Sequence, residues 1–338
     1  MTSRERLRHI LAGKPTDRCG LWLGMPHADT WPQLHDYFGT TSQEELRRKL
    51  GDDFRWICPS FFEGFYRHPR GRRVFDLGRE KKSHGQAGPL AEAVTVNDVE
   101  RYEWPNLDYL DFEPCLAALR AAGDFYRASG LWTCFFHDLS DLFGLEEYLV
   151  KMYTHPEVVE AATDRVCGFY YEANRRFFEA AGGEVDGFFF GNDLGTQRSL
   201  ICRPEHFDRF LLPWIRRFVG LAHAHGVQAI LHSCGAVHEI IGRLIEAGVD
   251  GLHPLQARAS GMSAEELARD FGGRLAFIGG IDTQELLVHG TPAEVAADVR
   301  RVRALLGPRL VVSPSHEAVL PNVPPANIEA LARAALER

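Results

Sequence analysis

From Leu131 onward the chain alternates between short apolar runs and helices with one apolar face. The runs are Leu131 to Phe136, Gly187 to Phe190, Gln228 to Leu231, Val249 to Leu252, Leu275 to Ile278 and Leu310 to Val312. Continuous apolar runs separated by helices predict parallel strands whose outer face is covered. The helices carry their own punctuation. Thr291-Pro292-Ala293-Glu294 supplies an N-cap, a proline in the first turn and a capping-box glutamate, and Gly307 stands where that helix should stop. Ser263-Ala264-Glu265-Glu266 starts the preceding helix in the same way, and Gly272-Gly273 ends it. Val295, Val299, Val302 and Leu305 fall on one helical face, which predicts packing against the sheet.

Phe54 to Cys58 reads as a further strand, and an eighth is expected in the irregular stretch 74–94. Eight strands close a barrel, so the fold class is α/β, a (β/α)₈ TIM barrel. The competing open, doubly wound sheet is disfavoured because no GxGxxG turn follows any strand. Residues 1–338 read as one domain, with 1–50 an N-terminal extension packed on the barrel. That extension comprises a helix at 2–12, an extended piece around Leu21-Trp22-Leu23 and a helix at 42–50. Residues 68–88, rich in Arg, Lys and Gly, read as a solvated surface loop, with a basic flap over the site as the other reading.

Composition narrows the picture further. The 338 residues are 45% hydrophobic and 25% charged, which are globular proportions, and no apolar stretch reaches the length of a membrane span. Seven scattered cysteines without a CxxC pair do not form a disulfide framework, and the charged start from Met1 to Arg6 is no signal sequence. A cytoplasmic protein is the expectation. The net charge of -8 offers no basic footprint for nucleic acid.

In such a barrel, chemistry sits just past the C-terminal ends of the strands. Those positions hold His137 and Asp138; Asn192 and Asp193; His232 and Cys234; His253 and Gln256; Asp282; and His316 with Glu317. Imidazole and thiolate are borderline-soft donors that suit zinc. His232 and Cys234 on one strand end, with His316 across the mouth, would leave a fourth position open. The plainer reading makes Cys234 a small buried hydrophobe and His232 a hydrogen-bonded polar residue. Asp193 and Asp282 are candidate acid/base or ligand-orienting carboxylates, although Asp282 could simply cap the next helix. His137, Asn192, His253 and Gln256 are the candidate substrate contacts. His223, His225, His238 and His289 fall on helices and read as surface or packing residues.

Several segments together carry a resemblance. They are Pro15-x-Asp17-Arg18, Asn192 to Gln197, Arg203-Pro204-Glu205, His232-Ser233-Cys234-Gly235, Gly279 to Gln284, and Pro314-Ser315-His316 through Ile328. With them the chain resembles the uroporphyrinogen decarboxylase-like superfamily, most closely from Leu131 to the C-terminus, which implies a (β/α)₈ barrel. The true decarboxylases of that superfamily hold an acidic tetrapyrrole, without metal, through N-terminal arginines and an aspartate after the first strand. Here residues 22–27 contain no arginine and residues 58–60 no aspartate, so the porphyrinogen carboxylates would lack charge-assisted partners. The other branch resembles methylcobamide:coenzyme M methyltransferases, which use zinc on a His-x-Cys pair plus a later cysteine. His232 and Cys234 match the pair, and the later cysteine falls on or near His316. The resemblance therefore implies a zinc-dependent methyltransferase that moves a methyl group between a corrinoid protein and a small nucleophile. The alternatives are a metal-free lyase acting on a small carboxylated substrate, with Arg198 or Arg258 near its carboxylate, and a barrel that only binds a ligand.

Overall fold

The computed structural model describes residues 1–83 and 85–337. Its eight strands are β1 (Gly20–Leu21), β2 (Phe54–Trp56), β3 (Tyr126–Ser129), β4 (Gly187–Gly191), β5 (Gln228–His232), β6 (Gly251–His253), β7 (Ala276–Ile281) and β8 (Leu310–Pro314). They pair in parallel from β2 through to β8, and β8 pairs with β1. The seam between β1 and β2 is closed by Asp53, whose N–H donates to the Leu21 carbonyl and whose carboxylate accepts the Leu21 N–H. The chain is a (β/α)₈ barrel.

Alternation along the strands makes two cores. Phe54, Tyr126, Phe189, Ile230, Ile278 and Val311 fill the lumen, while Phe188, Phe190, Leu231 and Val312 face the helices. Leu7, Ile10 and Leu11 of the Ser3–Leu11 helix plug the lower end of the lumen. The Pro15-x-Asp17-Arg18 segment anchors that helix: Asp17 pairs with Arg6, and Arg18 pairs with the fully buried Asp53. The helix Pro292–Leu306 has the expected capping box, with Val295, Val299 and Val302 buried, and Ser263 caps Ala264–Phe271.

Two strand placements differ from the sequence expectation. The eighth strand is β1, inside the N-terminal extension, and residues 74–94 hold no strand among the described residues. A two-residue strand leaves too short a pattern to stand out. The apolar run from Leu131 to Phe136 is not a strand either; β3 lies five residues earlier, and the helix Phe135–Phe143 begins inside the run. Arg127 and Ser129 interrupt the apolar pattern of β3, because Arg127 turns outward to pair with Glu184 and Asp186. Gly130, at φ +100°, then ends the strand where a Cβ would meet the Phe188 ring at 2.5 Å.

Residues 68–83 and 85–88 form an irregular surface loop tied down at several points, among them the Tyr102 hydroxyl on the Asp76 carbonyl, Lys81 on Asp141 and the Gly88 N–H on the Phe143 carbonyl. Phe75 is buried against Phe169 and Tyr170, with ring centroids 5.5 and 5.4 Å away. The loop borders a cleft of about 740 Å³ that has Asp138 and Asp141 in its wall. Among the described residues, no helix is long and apolar enough to cross a membrane.

Candidate active site at the barrel mouth

The ends of β4 and β5 are stitched together before they carry any chemistry. Asn192 N–H donates to the His232 carbonyl at 2.9 Å, and Leu194 N–H to the Ser233 hydroxyl at 3.1 Å. Glycines make this approach possible. A Cβ on Gly191 would lie 2.4 Å from the His232 Cβ, and one on Gly235 would lie 2.2 Å from the Gly195 carbonyl. Gly235 also has φ +87°, a turn conformation that side chains resist.

This stitching brings Asp193, His232 and Cys234 into one cluster. His232 Nε2 is 3.2 Å from Asp193 Oδ1 and 3.6 Å from Cys234 Sγ, and the Cys234 N–H donates to Asp193 Oδ1 at 3.1 Å. His137 Nε2 lies 3.5 Å from the other oxygen of Asp193. Burial opposes ionisation of Asp193, but the hydrogen bonds from His137 and His232 outweigh it and hold its carboxyl far below the ordinary range. Burial first, then the charges of Asp193 and Glu317, push the Cys234 thiol far above its ordinary value.

His316 sits beyond Cys234 rather than beside His232. Among the described residues three close groups of metal-ligating side chains form: Asp193, His232 and Cys234; His232, His253 and Glu317; and Cys234, His316 and Glu317. The expected set of His232, Cys234 and His316 is not among them. His316 Nδ1 accepts the Ala318 N–H at 3.0 Å, so a neutral ring carries its proton on Nε2 and presents a donor. Glu317, which the strand-end rule named without giving it a role, belongs to two of these groups. Its Oε2 is buried without a hydrogen-bond partner, 3.6 Å from His316 Nδ1 and 4.0 Å from His232 Nδ1. Its position directly after His316, past a strand end, was the available signal.

The other expected residues divide by depth. His253 is fully buried behind His232, with the two Nδ1 atoms 2.9 Å apart, so it supports His232 rather than meeting a substrate. Burial, followed by His232 and His316, drives the basicity of His253 well below that of an ordinary imidazole. Asn192 is also fully buried; its Oδ1 accepts the Phe136 N–H at 2.6 Å and so braces the Phe135–Phe143 helix against the end of β4. His137 and Asp138 lie on that helix, not on a strand end. Gln256 and Asp282 line a cleft of about 440 Å³ that also includes His316. Asp282 accepts the Gln284 N–H at 2.8 Å and the Leu286 N–H at 3.4 Å in the turn that leads into the helix Leu286–His289, whose own N-cap is Glu285. The other side of the mouth is aromatic. Trp132 stands 5.4 Å from the His232 ring and 5.0 Å from Trp56, both indoles resting on the lumen core.

Residues 77–338 match the family described as Uroporphyrinogen decarboxylase (URO-D). The chain belongs to that family. Among solved structures, a methyltransferase from Methanosarcina mazei is similar over 99% of this chain and 98% of its own, with a TM-score of 0.68 and 18% identity. A 7,8-dihydropteroate synthase from Vibrio fischeri ES114 aligns over 95% of this chain and 94% of its own, at a TM-score of 0.34 and 14% identity. Comparison with curated protein sequences gives no match. The first likeness agrees with the barrel seen here.

The URO-D match begins after residues 22–27 and 58–60, the two segments without the arginine and aspartate. In this URO-D family chain the first segment has a supporting role. Met25 N–H donates to the Glu317 carbonyl at 2.7 Å, and Gly24, at φ +78°, admits that carbonyl where a Cβ would lie 2.4 Å away. Arg47, which reaches the Gly24 carbonyl, is buried and already paired with Asp52.

Proposed function

We propose that the chain is a zinc-dependent methyltransferase that moves a methyl group between a corrinoid, carried by a partner protein, and a small nucleophile. The observation that carries this reading is the spacing around His232 Nε2, 3.2 Å to a carboxylate oxygen and 3.6 Å to a sulfur. Ligand bonds of roughly 2.0–2.3 Å in a tetrahedron give edges of about 3.3–3.8 Å, so both distances suit two ligands of one ion. Two further features suit a cation. Glu317 Oε2 is buried with no donor, and the Cys234 thiol is raised first by burial and then by two neighbouring carboxylates, whose charge an ion would offset. His232 and Cys234 would hold the zinc, with carboxylate from Asp193 or Glu317. This replaces His316, which becomes a donor facing the cleft. Bound there, zinc would supply a Lewis acid that lowers the pKa of the nucleophile's heteroatom.

The chain's own residues do the rest. His253 fixes the ring of His232 from behind, and His137 holds the second oxygen of Asp193. Gln256 Oε1 accepts from Gly235 N–H and from Gln197, which sets the wall of the cleft beside the Cys234 turn. About 440 Å³ suits a small nucleophile. A corrin ring is much larger, so its carrier would present the methyl group at the open mouth. The barrel's likeness to the Methanosarcina mazei methyltransferase agrees with this reading.

Metal analysis of the purified chain tests it. The expected result is about one zinc per chain, lost with Cys234→Ser together with methyl transfer from free methylcobalamin to small thiols and amines. A second reading, a metal-free lyase, is favoured by one observation: Asp193 is already satisfied by His137, His232 and the Cys234 N–H without a cation. It takes over if the chain, dialysed against micromolar zinc, retains none.

A further inference from the structure

The cleft beside His316 contains one cation and one anion that are only loosely paired. Arg258 Nη1 is 3.6 Å from Asp282 Oδ2, too far for a hydrogen bond, and Arg258 makes no other ion pair among the described residues. The two ends differ in exposure. Asp282 is 13% exposed and held by the Gln284 N–H at 2.8 Å, whereas Arg258 is 55% exposed. Neutral donors and acceptors surround them. Gln256 has committed its carbonyl oxygen to Gly235 and Gln197 and also hydrogen-bonds Cys234 with its NH₂, and Gln284, Thr283 and Ser315 are among the other polar residues of the lining.

We infer that this cleft is a subsite for the zwitterionic head of an α-amino acid, its carboxylate on Arg258 and its ammonium on Asp282. Charge balance selects that head group. A zwitterion exchanges one weak, partly exposed ion pair for two charge-assisted contacts and leaves the cleft neutral. A ligand with a single charge satisfies one residue and leaves the other facing a like charge or nothing. His316 lies in the same cleft and its group includes Cys234 and Glu317, so the side chain of the amino acid points toward the proposed zinc. The bound molecule's role as the methyl acceptor rests on the methyltransferase reading; its binding does not.

The test is calorimetric titration of the purified chain with L-methionine as the probe, before and after dialysis against EDTA. L-Methionine is compared with 3-(methylthio)propylamine, which lacks the carboxylate, and 4-(methylthio)butanoate, which lacks the ammonium. The subsite predicts that L-methionine binds at least about tenfold more tightly than either, the difference one charged hydrogen bond makes. Arg258→Gln, a change at an exposed position, should abolish the preference over the amine and keep the preference over the acid. Asp282→Asn should do the reverse. Equal binding of L-methionine and a singly charged analogue, no binding of L-methionine, or unchanged selectivity in Arg258→Gln would each overturn the subsite. Since the titration is repeated on chelated protein, absence of zinc sinks the proposed chemistry without touching this result, and the converse also holds.

Discussion

His232 and His253 meet nitrogen to nitrogen, Nδ1 to Nδ1 at 2.9 Å, so one of the two rings must donate its proton to the other. Two arrangements satisfy the contact. If His253 donates, His232 carries its own proton on Nε2 and offers it to Asp193. If His232 donates, its Nε2 lone pair faces Asp193 and Cys234, and the His253 proton sits on Nε2, which is buried without a partner. Only the second arrangement can bind a metal ion. His253→Phe removes the acceptor while filling similar volume. Zinc affinity should fall by about 10–100-fold, as for other residues that orient a ligand, although no ligand is lost. Competition with a chromophoric chelator measures this. Unchanged affinity would reduce His253 to packing against Trp22, whose ring lies 4.8 Å away.

The second prediction concerns the glycine that seats His232. At Gly191 a new Cβ would meet the His232 carbonyl oxygen at 2.3 Å, and backbone cannot swing aside as a side-chain tip can. Gly191→Ala should therefore shift the end of β5, reduce metal binding and lower stability by about 1–3 kcal/mol. Gly168→Ala is the control. It lies within the helix Pro156–Ala181 with nothing within 4 Å of its Cβ, and should be neutral or raise stability by up to about 1 kcal/mol. Urea unfolding of both variants checks the pair. Similar behaviour of the two would mean that the close approach at Gly191 has no energetic weight.

Asp138 gives a pH signature. Burial raises its carboxyl to about 6, against the lowering effect of the Tyr170 hydroxyl that donates to it at 2.7 Å. A carboxyl raised above its ordinary 3.8 binds its proton more tightly in the folded chain than in the unfolded one. This group therefore favours folding at low pH and loses that contribution as pH rises through about 6. Asp138→Asn cannot ionise. Its melting temperature minus that of the parent chain should increase from about pH 4 to about pH 7 and then level off. A difference that shrinks over that range would mean that the ionised form is the one the fold favours.

How legible these features were depended on local pattern. The capping boxes and the apolar runs of β4, β5 and β8 each fit inside a few consecutive residues, so the barrel could be argued without coordinates. The strand-end rule likewise picked out Asp193, His232 and Cys234, which do converge. The rule failed where position depends on distant partners. β1 is two residues long and exists because Val312 and Asp53 offer hydrogen bonds on either side. β3 hides its pattern behind Arg127, whose partners Glu184 and Asp186 stand beyond the long intervening helix. His316 and Glu317 are adjacent in sequence, and only the turn closed by the Ala318 N–H decides which of them offers an unpartnered atom to His232.

The last prediction tests the seam of the barrel. Asp53 is fully buried and works in two directions. One carboxylate oxygen accepts the Leu21 N–H at 3.0 Å, and the side chain also takes Arg6 at 2.8 Å, Arg18 at 2.7 Å and the Ser3 hydroxyl at 2.6 Å. It thus joins β1 to β2 and clamps the plugging helix to both. Removing one cation leaves the other in place, so Arg18→Met should cost only about 1–2 kcal/mol. Asp53→Ala leaves the largely buried Arg18 guanidinium and the Leu21 N–H without their carboxylate, while Arg6 keeps Asp17. The cost of breaking a buried pair from one side is roughly 3–5 kcal/mol. The loss should also be local. In native-state hydrogen exchange the Leu21 amide should lose protection in Asp53→Ala well before amides in β5, whose partners on β4 and β6 are untouched. If Leu21 and β5 lose protection together, or Arg18→Met costs as much as Asp53→Ala, then Asp53 does not close the barrel and the contacts of the helix Ser3–Leu11 with the lumen hold β1 in place.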